Sequence, residues 1–239
     1  MNKRKILIIK NITREGPGLL KEILDCYEIK YDIVDVHQGE HFPDPKIYSA
    51  LFVFGSPDSA NDTTSKIKQE LKRVQEATEA GIPYFGVCLG MQLLVKANGG
   101  KVYKHHVREV GWRDLEGDYF EVILTAAGEA DPLFSGVKSP LNIFHLHSET
   151  VELTNGMQLL ATGKYCGNQV VKVGENAYGI QGHLELTPGM LQEWIRQDPE
   201  LLQLDYKALQ VDYARIRTKY EHVGKAVFMN VLKLGGVLS

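Results

Sequence analysis

Tyr84-Phe85-Gly86-Val87-Cys88-Leu89-Gly90-Met91-Gln92 passes without a break from an apolar, strand-like run into a helical one. A cysteine stands at the junction, with glycine two residues before it and two after. A side chain held at the top of so tight a strand-to-helix turn leaves no room for Cβ atoms at the flanking positions, which is the physical reason for the glycines of a nucleophile elbow. The carboxyl end of a parallel strand is also where open α/β sheets place their ligands. A sulfur over the first helical turn meets unpaired N–H groups and the positive end of the helix dipole, and both favour thiolate. The same residues also admit a plain reading, a buried structural cysteine between two turn glycines, so the rest of the chain has to decide.

Outward from the elbow, short apolar runs alternate with longer amphipathic stretches. Residues 5–9, 31–36, 49–54 and 84–87 read as buried strands, and 18–26, 62–80 and 89–97 as helices. Apolar strands joined through helices argue a parallel sheet covered on both faces. Between 101 and 171 the pattern changes to strand-like segments, such as 120–125, 141–146 and 159–162, with turn residues between them and no strong helix. These extend the same sheet in antiparallel fashion, and 178–183 is a further strand. From Tyr206 onward Leu209, Tyr213, Ile216, Tyr220, Val223, Val227, Val231 and Leu234 follow at steps of three and four, one helical stripe expected to pack on the chain's own body, with a partner- or dimer-facing seam as the alternative. The expectation is an α/β fold of three layers: a mostly parallel central sheet flanked by helices, an antiparallel extension and a C-terminal helical tail. Residues 1–197 form the domain and 198–239 the helical extension packed on it.

A chain of 239 residues with 44% hydrophobic content can bury most of its apolar surface without a metal or disulfide staple. Its net charge of −3 gives no reason to expect a nucleic-acid partner. Residues 1–10 hold a basic tip and only four apolar residues, Ile6 to Ile9, too few for a signal-peptide core or a membrane span. Cys26, Cys88 and Cys166 stand far apart with no CxxC pair, which points to free thiols in a cytoplasmic compartment. No GxxxxGK[ST] or GxGxxG occurs, so no nucleotide and no other cofactor is expected.

A thiol nucleophile needs a base. In Gly179-Ile180-Gln181-Gly182-His183-Leu184-Glu185, His183 and Glu185 are two apart at a strand end and point to one face. The carboxylate then fixes the imidazole tautomer while the other ring nitrogen serves the thiol. Other candidates read as structural: Cys26 as packing on an apolar helix face, Cys166 as a turn residue with no catalytic partner, and Lys104-His105-His106 with Arg108 as a solvated basic cluster. His145 and His147 form an H-x-H without a third ligand of suitable spacing after them, so no metal is expected.

Together these residues resemble the class I glutamine amidotransferase family. Gly86-Val87-Cys88-Leu89-Gly90-Met91-Gln92 is similar to its G-V-C-L-G-x-Q motif, and Tyr178 to Glu185 to its Y-G-x-Q-F-H-P-E motif. Glu109-Val110-Gly111-Trp112 resembles E-I-G-W, and His147-Ser148-Glu149-Thr150-Val151 resembles H-G-D-x-V. The resemblance implies a flavodoxin-like fold and a triad of Cys88, His183 and Glu185 that attacks a γ-glutamyl amide and forms a γ-glutamyl thioester. It implies an oxyanion hole from Leu89 and from the Gly55-Ser56-Pro57 turn. It implies a glutamyl group held by Gln92 and by backbone around Leu146, His147 and Ser148. The partners it implies are a small γ-glutamyl substrate and, for a glutaminase subunit, a separate synthase chain. Gly182 replaces a Phe of the motif, Leu184 a Pro, and Ser56 the second Gly of the oxyanion loop; the first is expected to open space for a bulkier substrate. A binding module or a cysteine redox sensor on the same fold is the competing reading, and it has no need of an aligned His183 and Glu185.

Overall fold

The computed structural model describes residues 5–238; residues 1–4, part of the basic tip discussed above, lie outside the described residues. In chain order the elements are β1 (Ile6–Lys10), α1 (Gly18–Cys26), β2 (Tyr31–Asp35), β3 (Ala50–Val53), α2 (Ser65–Glu79), β4 (Tyr84–Val87) and α3 (Leu89–Ala97). There follow β5 (Lys101–Gly111), β6 (Glu121–Leu124), α4 (Ala126–Ala130), β7 (Leu141–Asn142), β8 (His145–Glu152) and β9 (Met157–Gly163). The chain closes with β10 (Val170–Val173), β11 (Ala177–Ile180), α5 (Pro188–Gln197) and α6 (Tyr206–Leu234).

Among the described residues, nine strands form one sheet in the order β2-β1-β3-β4-β11-β10-β9-β6-β7. The first five run parallel, and from β10 outward every neighbour is antiparallel. Alternate residues of β1 show why three layers result: Ile6 and Ile8 join the core beneath α1, α5 and α6, while Leu7 and Ile9 join the core beneath α2 and α3. All four are fully buried, as a strand covered on both faces requires.

Three expectations change. Residues 141–146 are not one strand: β7 ends at Asn142 and pairs with β6, whereas β8 starts at His145 and pairs with β5 in a separate two-stranded ribbon. Phe144, at the break, bridges to His183. The antiparallel extension therefore holds for β10, β9, β6 and β7 but not for β5 and β8. Helix α2 begins at Ser65 rather than at residue 62, because Asp62 accepts a hydrogen bond from Ser59 N in a turn and Thr64 is the residue that caps Ile67 N. Cys26 is exposed, since the buried stripe of α1 runs through Leu19, Leu20, Ile23 and Leu24 and passes it by.

The tail behaves as its periodicity predicts. Leu209, Tyr213, Tyr220, Val223, Val227 and Val231 are buried on the body, and Phe228 sets its ring 5.6 Å from Phe85 and 6.3 Å from Phe52. Tyr206 and Leu234, at the two ends of the stripe, stay exposed. Among the described residues no helix is long and apolar enough to cross a membrane.

Candidate active site

Cys88 caps α3 with φ 52° and ψ −108°, a backbone conformation that costs a β-carbon residue energy and marks a constrained turn. The neighbouring glycines are sterically required. A Cβ on Gly86 would stand 2.4 Å from the Gly90 carbonyl, and one on Gly90 would stand 2.1 Å from Val53 O. The turn is tied to the adjacent strand by Cys88 N donating to Ile180 O at 2.8 Å. Little of the thiol is exposed: Sγ lies 3.9 Å from Leu146 O and 3.7 Å from Gln181 Nε2, which donates to it.

His183 follows β11 and is pinned from four directions. Its N–H donates to Phe144 O at 2.7 Å, its carbonyl accepts from Tyr220 Oη at 3.0 Å, and its ring stands edge-on to Trp194 at 4.9 Å. Nδ1 is 2.7 Å from Glu185 Oε1, so the carboxylate accepts a hydrogen bond from Nδ1–H and turns the other ring nitrogen toward Cys88. Burial alone would depress the imidazolium; the Glu185 charge and the hydrogen bonds to Cys88 and Glu185 outweigh it and raise His183 well above its ordinary value. Helix α6 completes the clamp. Tyr220 Oη accepts from Leu186 N at 3.0 Å, and Tyr213 Oη donates to Leu186 O at 3.2 Å, which braces the peptide just after Glu185.

Cys88 and His183 open onto a cavity of about 260 Å³ whose walls include Ser56, Gln92, Leu146, His147 and Ser148, while Glu185 lies behind the imidazole. Leu89 is the first residue of α3, where a backbone N–H has no partner within the helix. Gly55 ends the β3 turn against the elbow: a Cβ there would stand 3.2 Å from Cys88 Cβ and 3.1 Å from His183 Cε1. The Ser56 hydroxyl is engaged with Asp58, donating to Oδ2 at 2.8 Å and accepting from Asp58 N at 3.1 Å. Gln92 is buried one turn along α3, its amide donating to Gln181 Oε1 at 3.4 Å and Glu149 O at 3.5 Å.

Several site residues escaped the sequence reading. Glu15, in the loop after β1, lines the cavity and is buried, with its carboxyl raised to about 7 by burial against the opposing pulls of His183 and Arg14. Its signal was its place at the carboxyl end of a parallel strand. Gln181 lies inside the motif that supplied His183. Glu109 lies inside the E-V-G-W stretch and reaches across the ribbon to His147, Oε2 to Nε2 at 2.7 Å, with Gln169 Nε2 donating to the same oxygen at 2.8 Å. Burial pushes the Glu109 carboxyl up, but the hydrogen bond from His147 and the charges of His145 and His147 bring it down to about 2. Burial takes His145 the other way, down to about 3.

Two sequence expectations are corrected here. Gly182 opens no space toward a substrate, because a Cβ on it would meet Ile143 Cγ2 at 2.5 Å and Phe144 O at 3.0 Å, inside the core. The H-x-H histidines do have neighbours of ligand type, brought from other strands rather than from the following sequence: Glu109, His147 and Cys166 present atoms within 4.8 Å of one another. Those atoms already have partners, since Glu109 and His147 are at hydrogen-bond distance and Cys166 Sγ is 3.1 Å from Thr150 Oγ1. The basic cluster is largely exposed as expected, though Lys104 reaches the cavity rim and Arg108 pairs with Glu200.

Comparison with known proteins agrees with this geometry. The family described as glutamine amidotransferase class-I matches residues 19–199. YfeJ of Salmonella typhimurium, described as glutamine amidotransferase-like, is 30% identical over 173 residues, 70% of each chain. The glutamine-hydrolysing GMP synthase of Paraburkholderia phymatum is 29% identical over 142 residues, 58% of this chain and only 25% of its own length. A γ-glutamyl-L-1-hydroxyisopropylamide hydrolase of a Pseudomonas species is 30% identical over 156 residues, 62% of this chain and 52% of that one. In fold, a glutamine amidotransferase of Thermotoga maritima superposes with a TM-score of 0.86 at 22% identity, covering 98% of this chain and all of its own.

Proposed function

Because this chain belongs to the class-I glutamine amidotransferase family, we propose that it hydrolyses a γ-glutamyl amide, glutamine or an amine-substituted analogue, through a thioester on Cys88. The observation that carries the reading is the 2.7 Å contact between His183 Nδ1 and Glu185 Oε1 behind a strained cysteine in the same cavity. His183 takes the thiol proton, and Glu185 stabilises the imidazolium that results. Sulfur attacks the side-chain carbonyl, and the oxygen that becomes negative is met by N–H groups of Leu89 and of the Gly55–Ser56 turn, each worth about 3 kcal/mol in such sites. The proton on His183 goes to the leaving nitrogen, which departs as ammonia or an amine. His183 then activates water to release glutamate. Gln92 and the backbone of Leu146, His147 and Ser148 hold the glutamyl end.

In this reading residues 1–197 carry the chemistry, and the extension 198–239 braces the base through Tyr220 and Tyr213. The free thiols fit a cytoplasmic enzyme. Similarity to glutamine-hydrolysing GMP synthases supports a separate synthase chain as recipient of the ammonia, and similarity to the γ-glutamyl-hydroxyisopropylamide hydrolase supports amine-bearing substrates. Release of ammonia and glutamate from glutamine, and of amine from a panel of γ-glutamyl amides, tests the proposal with Cys88→Ala as control. Turnover abolished in the variant is the expected result. A wild type that neither turns over nor is labelled at Cys88 by a glutamine-analogue electrophile overturns it in favour of a binding module.

A further inference from the structure

We propose that Glu15 is the hydrogen-bond acceptor for the leaving nitrogen, a group that makes the Cys88 centre selective for amides over esters; this rests on the hydrolase reading above. Glu15 is 3% exposed, yet its Oε2 has no hydrogen-bond partner. A buried carboxylate oxygen without a donor is costly, and the cavity it lines is where a donor can arrive. Its position is fixed against Gly55. The point at which a Cβ on Gly55 would stand is 2.4 Å from Glu15 Oε2, 3.1 Å from His183 Cε1 and 3.2 Å from Cys88 Cβ. Only a hydrogen of Gly55 fits there, so the carboxylate oxygen, the edge of the imidazole and Cys88 Cβ all pack around one face of Gly55, in the wall of the cavity that Glu15, Cys88 and His183 share.

The rest of the carboxyl group's environment holds Oε2 at that wall. Arg14 Nη2 lies 4.0 Å from the other oxygen, Oε1, and is held by Asp198 Oδ2 at 2.6 Å. The loop itself is anchored by Trp194 Nε1 donating to Arg14 O at 2.9 Å.

Chemistry then assigns the donor. In acylation the sulfur–carbon bond forms, the carbon–nitrogen bond breaks, and the nitrogen takes the proton that His183 holds. The leaving nitrogen must therefore sit within reach of His183, beside Glu15. It carries at least one further hydrogen, which Oε2 accepts, and this turns the nitrogen lone pair toward the imidazolium. Glu15 exchanges no proton in the step. The leaving oxygen of an ester has no hydrogen to donate, so for an ester Glu15 does nothing useful.

The test compares kcat/KM for glutamine, or for the amide that the wild type hydrolyses best, with kcat/KM for glutamate γ-methyl ester. This parameter reports steps up to acylation. Glu15→Met replaces a buried carboxyl, one oxygen of which has no partner, by an apolar group of similar volume and is expected to fold with an unchanged or raised melting temperature, Arg14 keeping its pair with Asp198. It should lower the amide value tenfold or more and leave the ester value within about twofold, about 1.4 kcal/mol of selectivity per factor of ten. Glu15→Gln keeps a neutral acceptor oxygen and should recover part of the amide rate. Equal losses on both substrates would overturn the proposal and leave Glu15 a structural residue. A wild type inert to both would instead remove the hydrolase reading, and this inference with it.

Discussion

Among the described residues, two buried histidine–carboxylate pairs meet at 2.7 Å, and they are wired differently. His183 meets Glu185 at 2.7 Å through Nδ1, and His147 meets Glu109 at 2.7 Å through Nε2. The first pair lies two residues apart in the chain, and its second ring nitrogen meets the Cys88 thiol. The second pair spans the β5–β8 ribbon, and its remaining nitrogen faces Glu149 O at 3.2 Å, so both nitrogens already have acceptors. In the proposed reading the same two side chains make a base in one place and a rivet in the other. What separates them is the partner of the second ring nitrogen, a cysteine thiol in one and a backbone carbonyl in the other, and not the pairing itself.

Replacing each histidine by alanine breaks the comparison most sharply. His183→Ala should cut kcat/KM by three orders of magnitude or more, the usual scale for removing a base from a triad. His147→Ala should instead cost roughly 3–5 kcal/mol of stability by stranding the Glu109 charge, while kcat/KM of the folded fraction falls less than tenfold. Steady-state kinetics beside urea denaturation separates the two. If His147→Ala loses activity as fully as His183→Ala with its stability intact, the second pair is catalytic after all.

Proton linkage should give the pairs opposite signatures. Glu109 is held down at about 2 from an ordinary 4.5, so its contribution is whole above about 4.5 and drains away as pH falls toward 2. His145, lowered from 6.5 to about 3, adds to the acid loss, because the unfolded chain binds a proton that the folded one refuses. His183 runs the other way: raised above 6.5, its contribution is complete below that pH and is lost as pH climbs through the folded value. Melting temperature against pH should therefore fall on both sides, with Glu109→Gln flattening the acid limb and His183→Ala the alkaline one.

The smallest effect expected is at Tyr220. Its hydroxyl joins Leu186 N to His183 O, and Tyr220→Phe leaves both buried backbone groups short of a partner. A loss of about 1–3 kcal/mol in stability should come with a several-fold loss in kcat/KM, seen by denaturation and kinetics together. Unchanged kinetics would reduce α6 to a packing element.

Legibility in the sequence follows the distance over which a feature is assembled. The elbow, the parallel strands and the spacing of His183 and Glu185 are local patterns, and backbone geometry alone turns them into one face or one turn. Gly182 misled because a motif position says which residue is unusual but not what stands opposite it; the answer, Ile143 and Phe144, comes from about forty residues earlier. The break of the 141–146 segment was hidden for a related reason. Apolar residues continue across it, and only the competing partners β6 and β5 decide where one strand stops and the next starts.

The sequence by itself determined the doubly covered parallel sheet, the constrained cysteine and the residues able to serve as base and orienting carboxylate, because periodicity and steric exclusion act within a few residues. Tertiary structure alone decided that Glu15 lines one cavity with Cys88, that Glu109 binds His147 and that Tyr220 braces the backbone of His183. Each of those contacts joins segments far apart in the chain, and hydrogen bonds of about 3 Å between such segments exist only once the sheet and both its helical layers have packed.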